Sequence, residues 1–181
     1  MASAFTTSAC AGLARQIDAL VAEFPATAAE VSVPDLLDDI GMLNHHLNHI
    51  AERMRQSFAE PDKVGLAERT VFAGVAEAAE RIASAQRHLT SALAHVTSGF
   101  RKELMLHTHP HLVNDPALAR TIAVEKYAEA AERLRKATRW LDSTARVGQR
   151  PSTAPPRVRA SQAVSAVPAR RPRPVSTMHF L

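Results

Sequence analysis

The segment Val71–Phe100, VFAGVAEAAERIASAQRHLTSALAHVTSGF, decides the fold. Apolar residues recur in it at steps of three and four: Phe72, Val75, Ala79, Ile82, Leu89, Leu93, Val96 and Phe100, with Gln86 the one polar member of the series. That spacing keeps one stripe of a helix apolar throughout. The positions beside the stripe are Ala76, Ala78, Ala83, Ala85, Thr90, Ala92, Thr97 and Gly99. A free two-stranded coiled coil usually carries Glu and Lys there. Flanks this small and uncharged instead let the helix bury a broad face and approach more than one neighbour closely, so the segment predicts a helix inside a bundle.

On either side the punctuation is clear. Pro25 and Pro34, Pro61, and then Pro110 and Pro116 divide residues 1–147 into four segments, and the expected helices cover 8–24, 33–59, 66–108 and 115–147. The first carries Cys10, Leu13, Ile17, Leu20 and Phe24 on one stripe, and the second Leu36, Ile40, Leu43, Leu47, Ile50 and Met54. The fourth spaces Tyr127, Leu134 and Leu141 by seven among Ala123, Ala130, Ala131 and Ala137. Ser32, three residues before Asp35, predicts a capping box, with Pro34 in the first turn and Asp35, Asp38 and Asp39 at the positive end of the helix dipole. The expected fold is all-α, an antiparallel bundle of four helices with a short first helix and long third and fourth helices.

At the usual rise per residue the third helix would reach roughly 64 Å, far longer than the first. It either projects beyond its neighbours or bends near Ser98-Gly99. Phe100 stays in phase with the stripe, which favours continuity. The projecting end would then expose Phe100, Leu104 and Leu106, a candidate surface for a homodimer or a partner helix.

Composition agrees with a helical reading. Of 181 residues 34 are Ala, 46% are hydrophobic, 4% aromatic and 6 are Gly, which disfavours a β-sandwich or barrel. A single Cys excludes a disulfide scaffold and a Cys-based zinc site. No run of about 18 apolar residues marks a membrane span. The start, MASAFTTSACAG, lacks the charged and apolar regions of a secretory signal, and with the lone Cys a cytoplasmic location is expected. Arg outnumbers Lys 18 to 4, a composition expected of a GC-rich bacterial genome.

The net charge of +4 divides unevenly: residues 1–147 carry −2 and residues 148–181 carry +6, with six Arg and no acid. The last stretch also holds 6 of the 11 Pro. Proline at this density excludes helix, and the apolar residues are too few to offset the entropy of ordering, so a disordered tail over 148–181 is expected.

Candidate chemistry is sparse. His45 and His49 are one turn apart and could chelate a metal, yet the heptad count points both to solvent; His107, His109 and His111 alternate in the turn after the third helix, as any solvated loop could. Neither set matches a known ligand spacing. There is no phosphate loop, no nucleophile elbow and no Glu-x-x-His pair, and Cys10 falls on an apolar stripe with nothing to lower its pKa. No enzyme activity, cofactor or metal site is expected. Two basic stripes remain. One is Arg81, His88, His95 and Lys102 at sevenfold spacing; the other is Arg133 and Lys136 with Trp140, which lies outside the apolar seam. An indole exposed among cations is a plausible contact point. The expected function is a non-catalytic interaction protein, an adaptor or self-associating scaffold. The alternative is non-specific contact with nucleic-acid phosphates through the tail and the basic faces.

Overall fold

The computed structural model of the chain describes residues 7–59, 64–106 and 116–149, which form four helices and, among the described residues, no strand. They are α1 (Thr7–Ala22), α2 (Val33–Ser57), α3 (Leu66–Leu106) and α4 (Pro116–Gln149). The expected boundaries hold to within two residues at each end. Most of the expected tail lies outside the described residues, which end at 149.

Local chemistry starts the helices where the sequence places them. Ser32 is the N-cap of α2, in extended conformation, and its Oγ accepts from the Asp35 amide at 3.2 Å. The return half of the box is altered, because the Ser32 hydroxyl donates to Asp35 Oδ2 at 2.7 Å. In the turn before it, Glu30 accepts from the amides of Ala26 and Thr27 at 2.8 and 3.2 Å. At the start of α3 the Glu68 carboxylate accepts from the Gly65 amide at 3.0 Å.

The centre of the bundle is the α3/α4 hairpin. α1 packs mainly on α4, and α2 mainly on α3. Two glycines mark the register. A Cβ on Gly74 would collide with the Thr144 hydroxyl and lie 3.2 Å from Thr144 Cβ; one on Gly99 would lie 3.1 Å from the Ala119 methyl. The helices are therefore antiparallel, with Gly74 beside Thr144 near one end and Gly99 beside Ala119 near the other. α3 continues through Gly99 to Leu106. Gly99 serves close approach to α4 and not a break in α3.

The α3 seam differs from the expected one. Val75, Ile82, Leu89 and Val96 are buried as expected, but the positions that alternate with them in the core are Ala78, Ala85, Ala92 and Gly99. The expected Ala79, Gln86 and Leu93 are only half-buried. The buried positions alternate in size along both helices: Val75, Ala78, Ile82, Ala85, Leu89, Ala92 and Val96 on α3, and Leu141, Ala137, Leu134, Ala130, Tyr127 and Ala123 on α4. Alternation of this kind lets large side chains fill the space that small ones leave, so the two backbones come close while the interior stays filled. Ala79, Gln86 and Leu93 form the edge of the seam towards α2. There Gln86 Nε2 donates to Asn44 Oδ1 at 2.7 Å, which satisfies the one polar residue of the series. Phe58, at the end of α2, stacks on Phe72 with ring centroids 5.1 Å apart, so α2 is antiparallel to α3.

Candidate functional site

Trp140 stands on the outer face of the α3/α4 hairpin. Leu141, Ala137 and Thr144 turn inward, and the helical period therefore sends the neighbouring Trp140 outward, where 44% of its surface is exposed. It forms a wall between two depressions. One, of about 320 Å³, is a mostly apolar groove between the helices, lined by Thr70, Val71, Ala73, Gly74, Glu77, Ser143 and Thr144. The other, about 380 Å³ and shallow, is bordered by Lys136, Arg139 and Ser143. Gly74 contributes to the groove by having no side chain. Trp140 thus presents an apolar surface on one side and, on the other, the Arg139 guanidinium beside a Lys136 that is already paired with Glu132.

The basic stripes are less free than their sequence suggests. Arg81 pairs with Glu80 at 3.2 Å and with Glu77 at 3.8 Å. His88 Nδ1 lies 2.8 Å from Glu129 across the hairpin, and Lys126 reaches the same carboxylate at 2.7 Å. Lys126 first, and His88 after it, hold Glu129 below the ordinary carboxylate range. Lys136 pairs with Glu132 one turn away. Arg133 and Lys136 are half-buried on the same face as Trp140. The helix carries Phe100, Leu104 and Leu106, but their side chains lie outside the described residues, as does the whole turn His107–His111.

Of the remaining candidates, His45 and His49 face solvent as expected, whereas His46 between them is buried, with 5% exposure and no hydrogen-bond partner at Nε2. Burial, with the neighbouring His45 and His49, pushes its pKa below the usual histidine value. Cys10 is fully buried, and burial pushes its thiol up, away from the reactive thiolate. Among the described residues no group of three or more His, Cys, Asp or Glu converges as a metal ion would require. None of the described helices is long and apolar enough to cross a membrane.

A third cavity, about 400 Å³, lies where the α1–α2 turn meets α2 and α4, and sequence reasoning missed it. It is lined by Glu23, Glu30, Asp35, Asp38 and Asp39, by Phe24 and Tyr127, and, among the described residues, by no cationic side chain. At its base the buried Tyr127 hydroxyl donates to Asp39 Oδ2 at 2.9 Å, and Phe24 meets the Tyr127 ring edge-on at 5.0 Å. Burial pushes the Asp39 carboxyl up, with the Tyr127 hydrogen bond opposing; burial and the Asp39 charge push the Tyr127 hydroxyl up. The signal was the lone Tyr in an apolar seam, because a buried phenol needs a partner. In the sequence the helix dipole alone accounts for Asp35, Asp38 and Asp39, which hides the cavity.

Comparison of the chain with protein-family models, curated proteins and solved structures finds no match.

Proposed function

We propose that this chain is a non-catalytic interaction protein of the cytoplasm, an adaptor or self-associating scaffold, and that its protein partner docks on the α3/α4 face around Trp140. The observation that carries this reading is the half-exposed indole between an apolar inter-helix groove on one side and a shallow depression bordered by Arg139 and Lys136 on the other. Trp and Arg are the residue types that most often dominate binding energy at protein interfaces. The large-to-small packing of α3 on α4 holds this face on rigid elements, so little ordering is needed on binding. The test is to purify the tagged full chain with its native partners beside the Trp140→Ala variant. Protein that co-elutes with the wild type and is lost with the variant supports the reading. An identical set of proteins with both, or nucleic acid alone, contradicts it.

A second reading, contact with nucleic acid, rests on the charge division. The +6 of residues 148–181 is unopposed by any acid, whereas Arg81, Lys126 and Lys136 of the bundle are tied to carboxylates. Binding of this kind would weaken with salt at a logarithmic slope of about −0.9 per phosphate neutralised on duplex DNA. It would show little sequence preference. Sequence-specific binding that survives deletion of residues 148–181 would contradict the tail mechanism.

A further inference from the structure

Among the described residues His46 is the only buried histidine, on the inner face of α2 with Leu36, Leu43 and Ile50. Its Nε2 meets no hydrogen-bond partner. Such a ring fits the core only while it is neutral. A proton makes donors of both ring nitrogens, and Nε2 then becomes the N–H of a buried cation with nothing to accept from it.

The surroundings offer that cation no counter-charge. The charges that act on His46 are those of His45 and His49 on its own helix, and both oppose a proton; the His45 and His46 ring centroids are 5.9 Å apart. On α3, which packs against α2, Gln86 already donates to Asn44, Arg81 pairs with Glu80, His88 pairs with Glu129, and Arg87 is exposed. On α1 the charged Arg15 and Asp18 are exposed, and the titratable group that enters the core is the Cys10 thiol. On α4 it is the Tyr127 hydroxyl, which donates to Asp39. No carboxylate, amine or guanidinium is buried among the described residues. Asp39, where α2 meets α4, is pushed the opposite way by burial, so acid favours its folded form and an opening on acidification falls to His46.

The architecture lets α2 leave alone. It packs mainly on α3, whereas α1 packs mainly on α4 and the α3/α4 hairpin forms the centre of the bundle. Releasing α2 therefore breaks neither the hairpin nor the docking of α1. We propose that α2 is an acid-released helix: a proton taken up by His46 frees α2 from α3 while the hairpin and α1 stay packed. Release exposes Leu36, Leu43 and Ile50 and breaks the Gln86–Asn44 and Tyr127–Asp39 bonds. The released ring takes up a proton near the ordinary value of 6.5 and the packed ring only below it, so opening grows as the pH falls from 6.5 towards the folded value.

The experiment is hydrogen exchange of the full chain, read segment by segment by mass spectrometry, with intrinsic rates factored out and urea kept below the unfolding midpoint. Amides of α2 should exchange through an opening less sensitive to urea than that of the α3 and α4 core, which awaits global unfolding. Between about pH 7.5 and about pH 5.5 the opening constant of α2 should rise up to about tenfold. His46→Leu should abolish the rise. His46→Gln, which keeps a polar group that takes up no proton, should abolish it too and covers the case in which Leu repacks the core. The exposed pair His45→Gln and His49→Gln should keep it. Amides of α2 that exchange at one rate and one urea sensitivity with those of α3 and α4 overturn the proposal, because the bundle then opens as a whole. A wild type without the rise overturns it as well, as does a rise that survives both His46 variants or vanishes with the exposed pair.

Discussion

His46 sets an imidazole in the α2 core with no partner at Nε2, and leaving such an atom unsatisfied costs about 1–3 kcal/mol. His46→Leu should therefore raise stability, by about 1 kcal/mol after imperfect refilling of the site, read as a higher urea midpoint at neutral pH. The same residue predicts a pH dependence. Its folded-state pKa lies below the ordinary value of 6.5, so the unfolded chain takes up a proton more readily. Stability is full above that ordinary value and falls as the pH drops from it towards the lower folded value. Wild type should lose more stability between neutral pH and the mid-fives than His46→Leu does; equal losses would contradict the assignment. Tyr127→Phe should cost about 1 kcal/mol by removing the donor to Asp39, read as a lower melting temperature. The heptad count told solvent-facing His45 and His49 correctly, yet it could not tell which of His46 and Leu47 sits deeper, because the two are adjacent on the wide inner face of α2.

At the scale of the elements, the glycines make opposite predictions. Gly74→Ala forces Thr144, and with it α4, away from α3, and overpacking of this kind costs about 1–3 kcal/mol. Gly41→Ala meets open space and should stabilise the isolated bundle by about 0.5–1 kcal/mol through helix propensity. Thermal melts of the two variants at low concentration check both signs, and a Gly74→Ala variant as stable as wild type would contradict the register drawn for the α3/α4 hairpin. The helices themselves were legible because prolines, the Ser32 cap and the three-four spacing all pointed to the same segments. Phe72, Val75, Ile82, Leu89 and Val96 of the α3 stripe are buried as expected, and only the members that alternate with them fall one position off, because apolar size outweighs closeness in a sequence pattern. Leu93 and Phe100 drew the stripe towards the large residues, whereas the tightest contact with α4 selects Ala78, Ala85, Ala92 and Gly99, where a small side chain lets the backbones meet. The Trp140 face was visible as an aromatic outside the seam. The groove beside it was not, since it depends on Gly74 and Val71 of α3 lying against Thr144 and Ser143 of α4, a pairing that only the register of the hairpin supplies.

At the scale of the whole molecule, the account rests on Trp140 as the point of contact between proteins, and the chain provides its own probe because Trp140 is its only tryptophan. In the free bundle the indole is 44% exposed and should emit at long wavelength. Docking would bury it against apolar side chains and shift the emission to the blue. Low salt should strengthen the transition, since Arg139 beside the indole is screened at high ionic strength. The most direct measurement is the emission maximum of the full chain across a wide range of protein concentration, with mass followed in parallel. The account predicts a blue shift that follows the rise in mass with the same midpoint. A mass that rises while the emission stays at the solvent-exposed wavelength would place the interface elsewhere and contradict it.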